Sequence, residues 1–284
     1  MIICKTKTLL SAFINKYLKQ HTTIGFVPTM GALHEGHIAL VKESKRKSEI
    51  TVASIFVNPT QFNDISDFEK YPITIETDIE LLEKAGCDIL FLPSVQEIYE
   101  KGIHNVKHYD LDYLEEILEG KYRKGHFQGV CNVVENLLKM VQPNYLFLGQ
   151  KDYQQCMVIN RLIQLMNWQD KISLIYVPTV RENNGLAMSS RNKRLTENEK
   201  DNATIIFKSL NYIKENYMHQ SFHNLIETCK QNLLNNGFHK IDYICICNAN
   251  SLQIVDSYNE NTKMVALIAA FIGEVRLIDN MLLN

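Results

Sequence analysis

Apolar positions in this chain fall into two patterns, short unbroken runs and longer stripes at helical spacing. Leu9, Leu10, Phe13, Ile14, Tyr17 and Leu18 recur at that spacing and predict a first helix over residues 8–20. The run 24–27 is short, apolar and stopped by Pro28, which predicts a strand. A helix is expected from about His37 to residue 48, with Ile38 and Val41 on its apolar face. Residues 51–57 are almost all apolar or β-branched, as in a strand covered on both sides. A helix over 73–85 closes at Gly86, and a strand over 88–92 is halted by Pro93. Val130, Val133, Val134, Leu137, Leu138 and Val141 mark a helix over 130–141. A strand at 145–148, a helix at 153–166 and a strand at 172–177 follow. Residues 95–127 mix aromatic, acidic and basic groups and are expected to hold short strands and a helix near 111–118.

Strand and helix thus alternate five times, which predicts an α/β fold with a doubly wound parallel sheet. Ligands of such sheets sit outside the C-terminal ends of the strands, near the switch in strand order. Polar turns at 29–37, 58–62, 149–152 and 180–191 are therefore the places to look for chemistry. Beyond Val180 the pattern changes. Thr196 and Glu199 form a capping box that opens a helix to about residue 217. A second helix at 225–234 and strands at 241–247, 264–272 and 274–278 complete a smaller α+β part. The expected division is a first domain over 1–180 and a C-terminal lid domain over 181–284.

The turn Pro28-Thr29-Met30-Gly31-Ala32-Leu33-His34-Glu35-Gly36-His37 carries the strongest chemical signal. A strand, a glycine-containing turn and a helix start aim backbone N–H groups and a helix dipole at one place, where a phosphate binds well. His34 and His37 are three apart and share a face if the helix begins this early. The string is neither a zinc-peptidase motif, whose histidines are four apart, nor a Walker loop, since no Gly-Lys-Ser/Thr follows.

Composition narrows the partners. A net charge of −2 offers no general surface for nucleic acid. Seven cysteines without framework spacing point to reduced thiols and a cytoplasmic protein, and Cys245-x-Cys247 reads as one strand with both thiols on one face. The N-terminus has no signal-peptide pattern, and no apolar run reaches the length of a membrane span. Lys151 follows a strand end, and Arg191 lies in a Ser189-Ser190-Arg191 turn that is either exposed polar surface or a phosphate clamp. Asp152 suits ribose hydroxyls or a helix N-cap, Gln61 and Gln155 suit a hydroxylated carboxylate or plain surface, and Asn58 suits bracing of its own turn.

Together these strings resemble the pantoate–beta-alanine ligase family over nearly the whole chain. The resemblance rests on Pro28 to His37, on Ser54-Ile55-Phe56-Val57-Asn58-Pro59-Thr60-Gln61-Phe62, and on Tyr71-Pro72. It continues in Gly125-His126-Phe127-Gln128-Gly129-Val130, Gly149-Gln150-Lys151-Asp152-Tyr153-Gln154-Gln155, Met188-Ser189-Ser190-Arg191-Asn192 and Arg276-Leu277-Ile278-Asp279-Asn280. Gln150 and Gln128 depart from the acidic residue and the arginine that other members often carry. The resemblance implies a Rossmann-like domain of nucleotidyltransferase type, a closing C-terminal domain and a homodimer. It implies that ATP with Mg²⁺ adenylates (R)-pantoate with loss of pyrophosphate, and that beta-alanine then displaces AMP. By matched position, Met30, Gly31, Ala32, Leu33, His34, Glu35, Gly36 and His37 line ATP. So do Gly149, Gln150, Lys151, Asp152, Val180, Met188, Ser189, Ser190 and Arg191. His34, His37, Lys151 and Arg191 carry the catalysis, Gln61 and Gln155 hold pantoate, and Gln61 borders beta-alanine. No protein metal ligand, nucleic acid or membrane is implied. The alternatives are another nucleotidyl-transfer enzyme, such as a plain adenylyltransferase or a class I tRNA synthetase, and a non-catalytic nucleotide sensor. Met188-Ser189-Ser190-Arg191 stands where such a synthetase carries a second-lysine signature, and the intact cations argue against a sensor.

Overall fold

The computed structural model describes residues 1–104 and 106–284, in two units: Met1–Gln150 with Gln154–Pro178, and Lys151–Tyr153 with Thr179–Asn284. In the first unit the strands are β1 (Ile2–Cys4), β2 (Ile24–Thr29), β3 (Ile50–Ile55), β4 (Ile89–Phe91), β5 (Tyr145–Gly149) and β6 (Ser173–Val177). Its helices are α1 (Lys7–Lys19), α2 (Glu35–Lys47), α3 (Ile65–Glu69), α4 (Ile75–Lys84), α5 (Val95–Ile98), α6 (Leu118–Tyr122), α7 (His126–Val141) and, from Gln154 onward, α8 (Tyr153–Leu165).

The six strands form one sheet in the order β1-β4-β3-β2-β5-β6, and every neighbouring pair is parallel. Burial explains why β3 is apolar without alternation. Ala53 and Ile55 pack with Leu40 and Val41 of α2 and Leu82 of α4, while Val52 and Ser54, which alternate with them, are buried as well. On the other face α7 packs against β2 and α1. The fold is therefore the doubly wound α/β sheet expected from the alternation.

Strand order reverses at β2. The chain steps from β2 to β3 to β4 in one direction, then returns to place β5 on the opposite side of β2. The β2–β5 ladder pairs only Gly25 with Tyr145 and Phe26 with Leu146, whereas the β2–β3 ladder continues to Thr29 and Ile55. Pro28 has no N–H with which to extend a ladder. The sheet consequently opens between β2 and β5 at their C-terminal ends, where such folds bind ligands.

The second unit adds α9 (Glu197–Ala203), α10 (Ile205–Asn216) and α11 (Phe222–Asn235) to strands β7 (Phe238–Asn248), β8 (Met264–Ile272) and β9 (Val275–Leu282). These strands form an antiparallel sheet in sequence order, with Gly273 at φ +52° in the tight β8–β9 link. α10 and α11 cover one face, burying Leu210, Ile213, Leu225 and Leu233 against Ile246, Ala266 and Ile268.

Several expectations change. α2 begins at Glu35, two residues before His37, because His34 caps it. α7 begins at His126 rather than at Val130. Between 95 and 127 the described residues hold short helices and a 3-10 turn at Asp112–Glu115, with no strand. The helix expected from 197 to 217 is two helices meeting at Thr204, whose hydroxyl donates to Asp201 O at 2.7 Å. β1, with three residues, is too short to show a period, yet it pairs Ile2 to Ile89.

Candidate active site

The β2–α2 turn is held from below by a carboxylate that sequence reading missed. Gly31 and Ala32 both take positive φ, +84° and +49°, and turn the chain sharply away from β2. The amides this exposes do not point to a ligand. Ala32 N donates to Asp78 Oδ2 at 2.9 Å and Leu33 N to Asp78 Oδ1 at 2.8 Å, and the Thr74 hydroxyl donates to Oδ1 at 3.1 Å. Asp78 lies in the first turn of α4 and is 1% exposed. The expectation that this turn offers its N–H groups to phosphate is thus corrected for Ala32 and Leu33. A Cβ at Gly31 would approach Asp78 Oδ2 to 3.1 Å and Ile55 Cγ2 to 3.0 Å, on a backbone that favours glycine already.

The histidines cap the helix reciprocally. His34 Nδ1 accepts from Gly36 N at 3.1 Å, and His37 Nδ1 accepts from His34 N at 3.3 Å. A ring nitrogen that accepts a hydrogen bond carries no proton, so the network assigns both neutral rings the Nε2–H tautomer. The ring centroids are 4.1 Å apart, so the two residues do share a face. One device therefore ends the loop, starts the helix and sets two imidazole donors side by side. Met30 and His37 are half-buried, as are His34 and Gly36, and Glu35 is exposed.

Gln61 ends the 3-10 turn Pro59–Gln61 beyond β3 and is 8% exposed. Its Oε1 accepts from Asn58 Nδ2 at 3.1 Å, which leaves Nε2 as the end that can donate, and Nε2 lies 3.0 Å from Met30 Sδ. Asn58 does brace this turn. Its Oδ1 accepts from Tyr99 Oη at 2.8 Å and Thr60 Oγ1 at 3.0 Å, while Nδ2 also donates to Gly129 O at 3.1 Å. Burial pushes the Tyr99 phenol up, against hydrogen bonds to Thr60 and Asn58 that lower it, so it stays a neutral donor. Met30 and Phe56 also line an apolar cavity of about 250 Å³ with Ile55, Pro72, Leu92 and Pro93. Gly149 ends β5 at the switch point, and nothing lies within 4 Å of where its Cβ would be. Gln150 follows it, and Gln155 is half-buried in α8.

The remaining candidates lie in the second unit. Lys151 Nζ is 3.5 Å from Asp152 Oδ1, and Lys151 O accepts from Asn280 Nδ2 of β9 at 2.8 Å. The next residue but one is tied as well, since Tyr153 Oη donates to Ala249 O at 2.8 Å. Val180 O accepts from Met188 N at 3.0 Å and Arg181 bridges to Ala187, so residues 180–188 fold back as a narrow hairpin. Ser189 Oγ accepts from Arg191 N at 3.3 Å and caps the 3-10 turn Ser190–Arg194. Residues 181–191 are well braced. Arg181 donates to both oxygens of buried Asp279 and stacks 4.3 Å over Phe207, and Asn192 Nδ2 donates to Glu182 Oε1 at 2.9 Å. Burial pushes the Asp279 carboxyl up, against the pull of Arg181.

The family profile described as pantoate-beta-alanine ligase matches residues 2–282. The pantothenate synthetase of Azobacteroides pseudotrichonymphae is 44% identical over 285 residues, covering 99% of both chains. The crystal structure of pantothenate synthetase from Thermus thermophilus superposes with a TM-score of 0.90 at 35% identity, covering 99% of each chain. The pantoate-beta-alanine ligase of Francisella tularensis, solved in complex with beta-gamma ATP and beta-alanine, has a TM-score of 0.82 at 37% identity. It covers 99% of this chain and 97% of its own. A profile match from the first strand to the last, joined to such relatives across their whole lengths, establishes that the chain belongs to the pantoate–beta-alanine ligase family.

Proposed function

We propose that this chain condenses (R)-pantoate with beta-alanine in two half-reactions at the residues described above. The pantoate carboxylate attacks the α-phosphorus of ATP, the α–β bridging bond breaks, and pantoyl-adenylate and pyrophosphate result. The beta-alanine amine then attacks the acyl carbon, AMP leaves, and the amine gives up a proton as pantothenate forms. Family membership and an ATP- and beta-alanine-bound relative support this reading.

The first step has a nucleophile ready, since a carboxylate is ionised at neutral pH. Its difficulty is charge, because one anion must approach another and a third must depart. The observation that carries the mechanism is the pair of backbone N–H bonds accepted at Nδ1 of His34 and His37, from which the tautomer is assigned. With Nδ1 occupied by the helix cap, Nε2–H is the group each ring offers, so both act as donors to phosphate oxygens. Lys151 and Arg191 supply positive charge, and Ser189 and Ser190 add hydroxyls. Met30 to His37, Gly149, Gln150, Asp152, Val180 and Met188 complete the ATP-binding set, with the Val180 carbonyl already engaged by Met188. Gly149 leaves room for close backbone approach.

Gln61 Nε2 now rests on a thioether, a weak acceptor that a pantoate oxygen displaces readily. Gln155 is the second pantoate group, and the apolar cavity beside Met30 suits the branched carbon of pantoate. Mg²⁺ enters as the counter-ion of ATP. Phosphate oxygens and water suit this small, hard ion as ligands. A cytoplasmic homodimer completes the proposal. Seven free, buried thiols suit a reducing compartment, and among the described residues no helix is long and apolar enough to cross a membrane.

The test separates the half-reactions. AMP formation requires both pantoate and beta-alanine, while exchange of pyrophosphate into ATP requires pantoate alone. His34→Ala and His37→Ala each slow that exchange by about 10²–10⁴-fold. A variant impaired only in amine transfer would overturn the donor role.

A further inference from the structure

The first turn of α7 is built from groups that the chemistry above does not use. His126 opens the helix and is 5% exposed. Its Nδ1 lies 2.7 Å from the carbonyl oxygen of Gln61. A carbonyl can only accept, so Nδ1 carries the proton and donates. Nε2 is then the acceptor, and Arg123 Nη1 donates to it from 3.0 Å. The Arg123 guanidinium in turn lies 3.7 Å from the Glu119 carboxylate. A carboxylate, a guanidinium and an imidazole thus form a line that ends on one backbone oxygen of the Pro59–Gln61 turn.

The same helical turn reaches Gln61 by a second path. Gly129 O accepts from Asn58 Nδ2, and Asn58 Nδ2 also donates to Gln61 Oε1. Helix and turn meet backbone to backbone, for a Cβ on Gly129 would lie 2.2 Å from Thr60 O. Gln61 is therefore gripped at its carbonyl by His126 and at its side-chain oxygen by Asn58, with only Nε2 left to offer a substrate.

We infer that His126 is a positioning residue for pantoate recognition, acting through the Gln61 carbonyl to fix where Gln61 Nε2 is presented. The inference rests on the reading that Gln61 binds pantoate. Shape-filling alone would need neither nitrogen of the ring. Here both are committed, one to the turn and one to Arg123, and this fixes the ring's tautomer and its direction. Rotating the Gln61 peptide would move the start of that side chain, and a misplacement of about 1 Å in a positioning group costs up to about 10²-fold in rate.

Three substitutions test this in steady-state kinetics with pantoate and ATP varied separately. His126→Asn places an amide N–H near the Nδ1 position, His126→Gln reaches only toward Nε2, and His126→Ala offers neither. The alanine and glutamine variants are expected to raise the KM for pantoate about tenfold while moving the KM for ATP by less than about twofold. His126→Asn is expected to restore the pantoate KM to within about threefold of the parent. An unchanged pantoate KM in His126→Gln, a parallel rise in both KM values, or an asparagine variant no better than the glutamine one overturns the inference. Should His126→Ala fail to fold, the asparagine–glutamine contrast decides alone. Gln61→Asn, measured alongside, separates the two layers. If it leaves the pantoate KM unchanged, the reading of Gln61 falls and the inference with it. If it raises that KM while His126→Gln does not, only the inference falls.

Discussion

Replacing Asp78 by asparagine changes almost no volume and removes one charge from beneath the β2–α2 turn. The carboxylate accepts from Ala32 N at 2.9 Å, Leu33 N at 2.8 Å and the Thr74 hydroxyl at 3.1 Å, and water does not reach it. In the variant one oxygen becomes an NH₂ group that faces a backbone N–H. The amide opposite loses its acceptor, at a cost of about 1–3 kcal/mol. The bond that remains loses its charge assistance, roughly 1 kcal/mol more. A negative charge in the first turn of α4 also interacts with the helix dipole, worth about 0.3–1 kcal/mol. Relief of the carboxylate's desolvation works the other way, but three donors already replace the lost water, so the balance is a net loss of about 3 kcal/mol.

At about 2–4 °C per kcal/mol for a chain unit of this size, the first unit should melt about 6–12 °C lower. Ala32 adds a reason for function to follow stability. It holds φ +49° without being glycine, a strain of about 1–2 kcal/mol that the clamp sustains. Freed from Asp78, the turn relaxes, and His34 and His37 move with it. Pantoate-dependent exchange of pyrophosphate into ATP is therefore expected to fall about ten- to a hundredfold. Thr74→Val, which deletes the one bond to this carboxylate that comes from a side-chain hydroxyl, serves as the graded control at about 1.5 kcal/mol. An Asp78→Asn enzyme that melts within about 1 °C of the parent and exchanges normally would refute the reasoning.

Four further outcomes are expected. Burial pushes the Glu135 carboxyl up, but hydrogen bonds from Tyr109, Lys139 and Lys107 outweigh it and hold the group below its ordinary 4.5. A carboxyl lowered on folding adds stability above its unfolded value and loses it as pH falls through the folded one, so Glu135→Gln should cost about 1–3 kcal/mol at pH 7 in urea melts. That gap should narrow as pH falls from 4.5 through the lowered folded value, and a gap that widens in acid contradicts the assignment. Gly129→Ala should destabilise the first unit by about 1–3 kcal/mol, because the Thr60 carbonyl is backbone and cannot swing aside; parent-like denaturation would mean that α7 can retreat. Burial is the first cause pushing the Cys87 thiol up to about 12 and the Cys229 thiol to about 11. An aromatic disulfide reagent at neutral pH should accordingly find its seven thiols only after unfolding, and rapid reaction of the native protein would contradict this burial. Finally, the Glu182 and Met188 amides, bonded to Leu186 O and Val180 O, should exchange slowly with deuterium in the absence of ATP. Exchange at the rate of an open loop would show that these braces do not persist.

The sheet was legible because β3, β4 and β5 are short and apolar on both faces and are separated by helical stripes, as parallel strands covered by helices are. The three residues of β1 carry no period, and only the partner Ile89 makes them a strand. Between Ala203 and Ile205 there is no glycine or proline to announce a break, so the helical period runs through Thr204 unmarked. In the site, the spacing of His34 and His37 disclosed a shared face, but their capping role depends on where α2 begins. Asp78 was invisible for another reason. An acidic residue in the first turn of a helix is ordinary, and its meaning lies with amides 45 and 46 residues earlier in the chain. The opposite held for Asn58, whose place two residues before Thr60 already suggested a braced turn. For His126, the Gly125-His126-Phe127-Gln128-Gly129 string was visible, but its target at Gln61 lies 65 residues away.

Residues 151–153 leave the first unit for the second and then hand the chain back at Gln154. The carbonyl of Lys151 is held by Asn280, a residue that the ribosome adds 129 positions later. Newly made protein can close most of its parallel sheet while synthesis continues, but the turn carrying this lysine reaches its final shape only when β9 arrives. Maturation of the Lys151 turn is in this way deferred to the end of translation, and a chain cut short before that strand would retain the histidine turn without a settled Lys151.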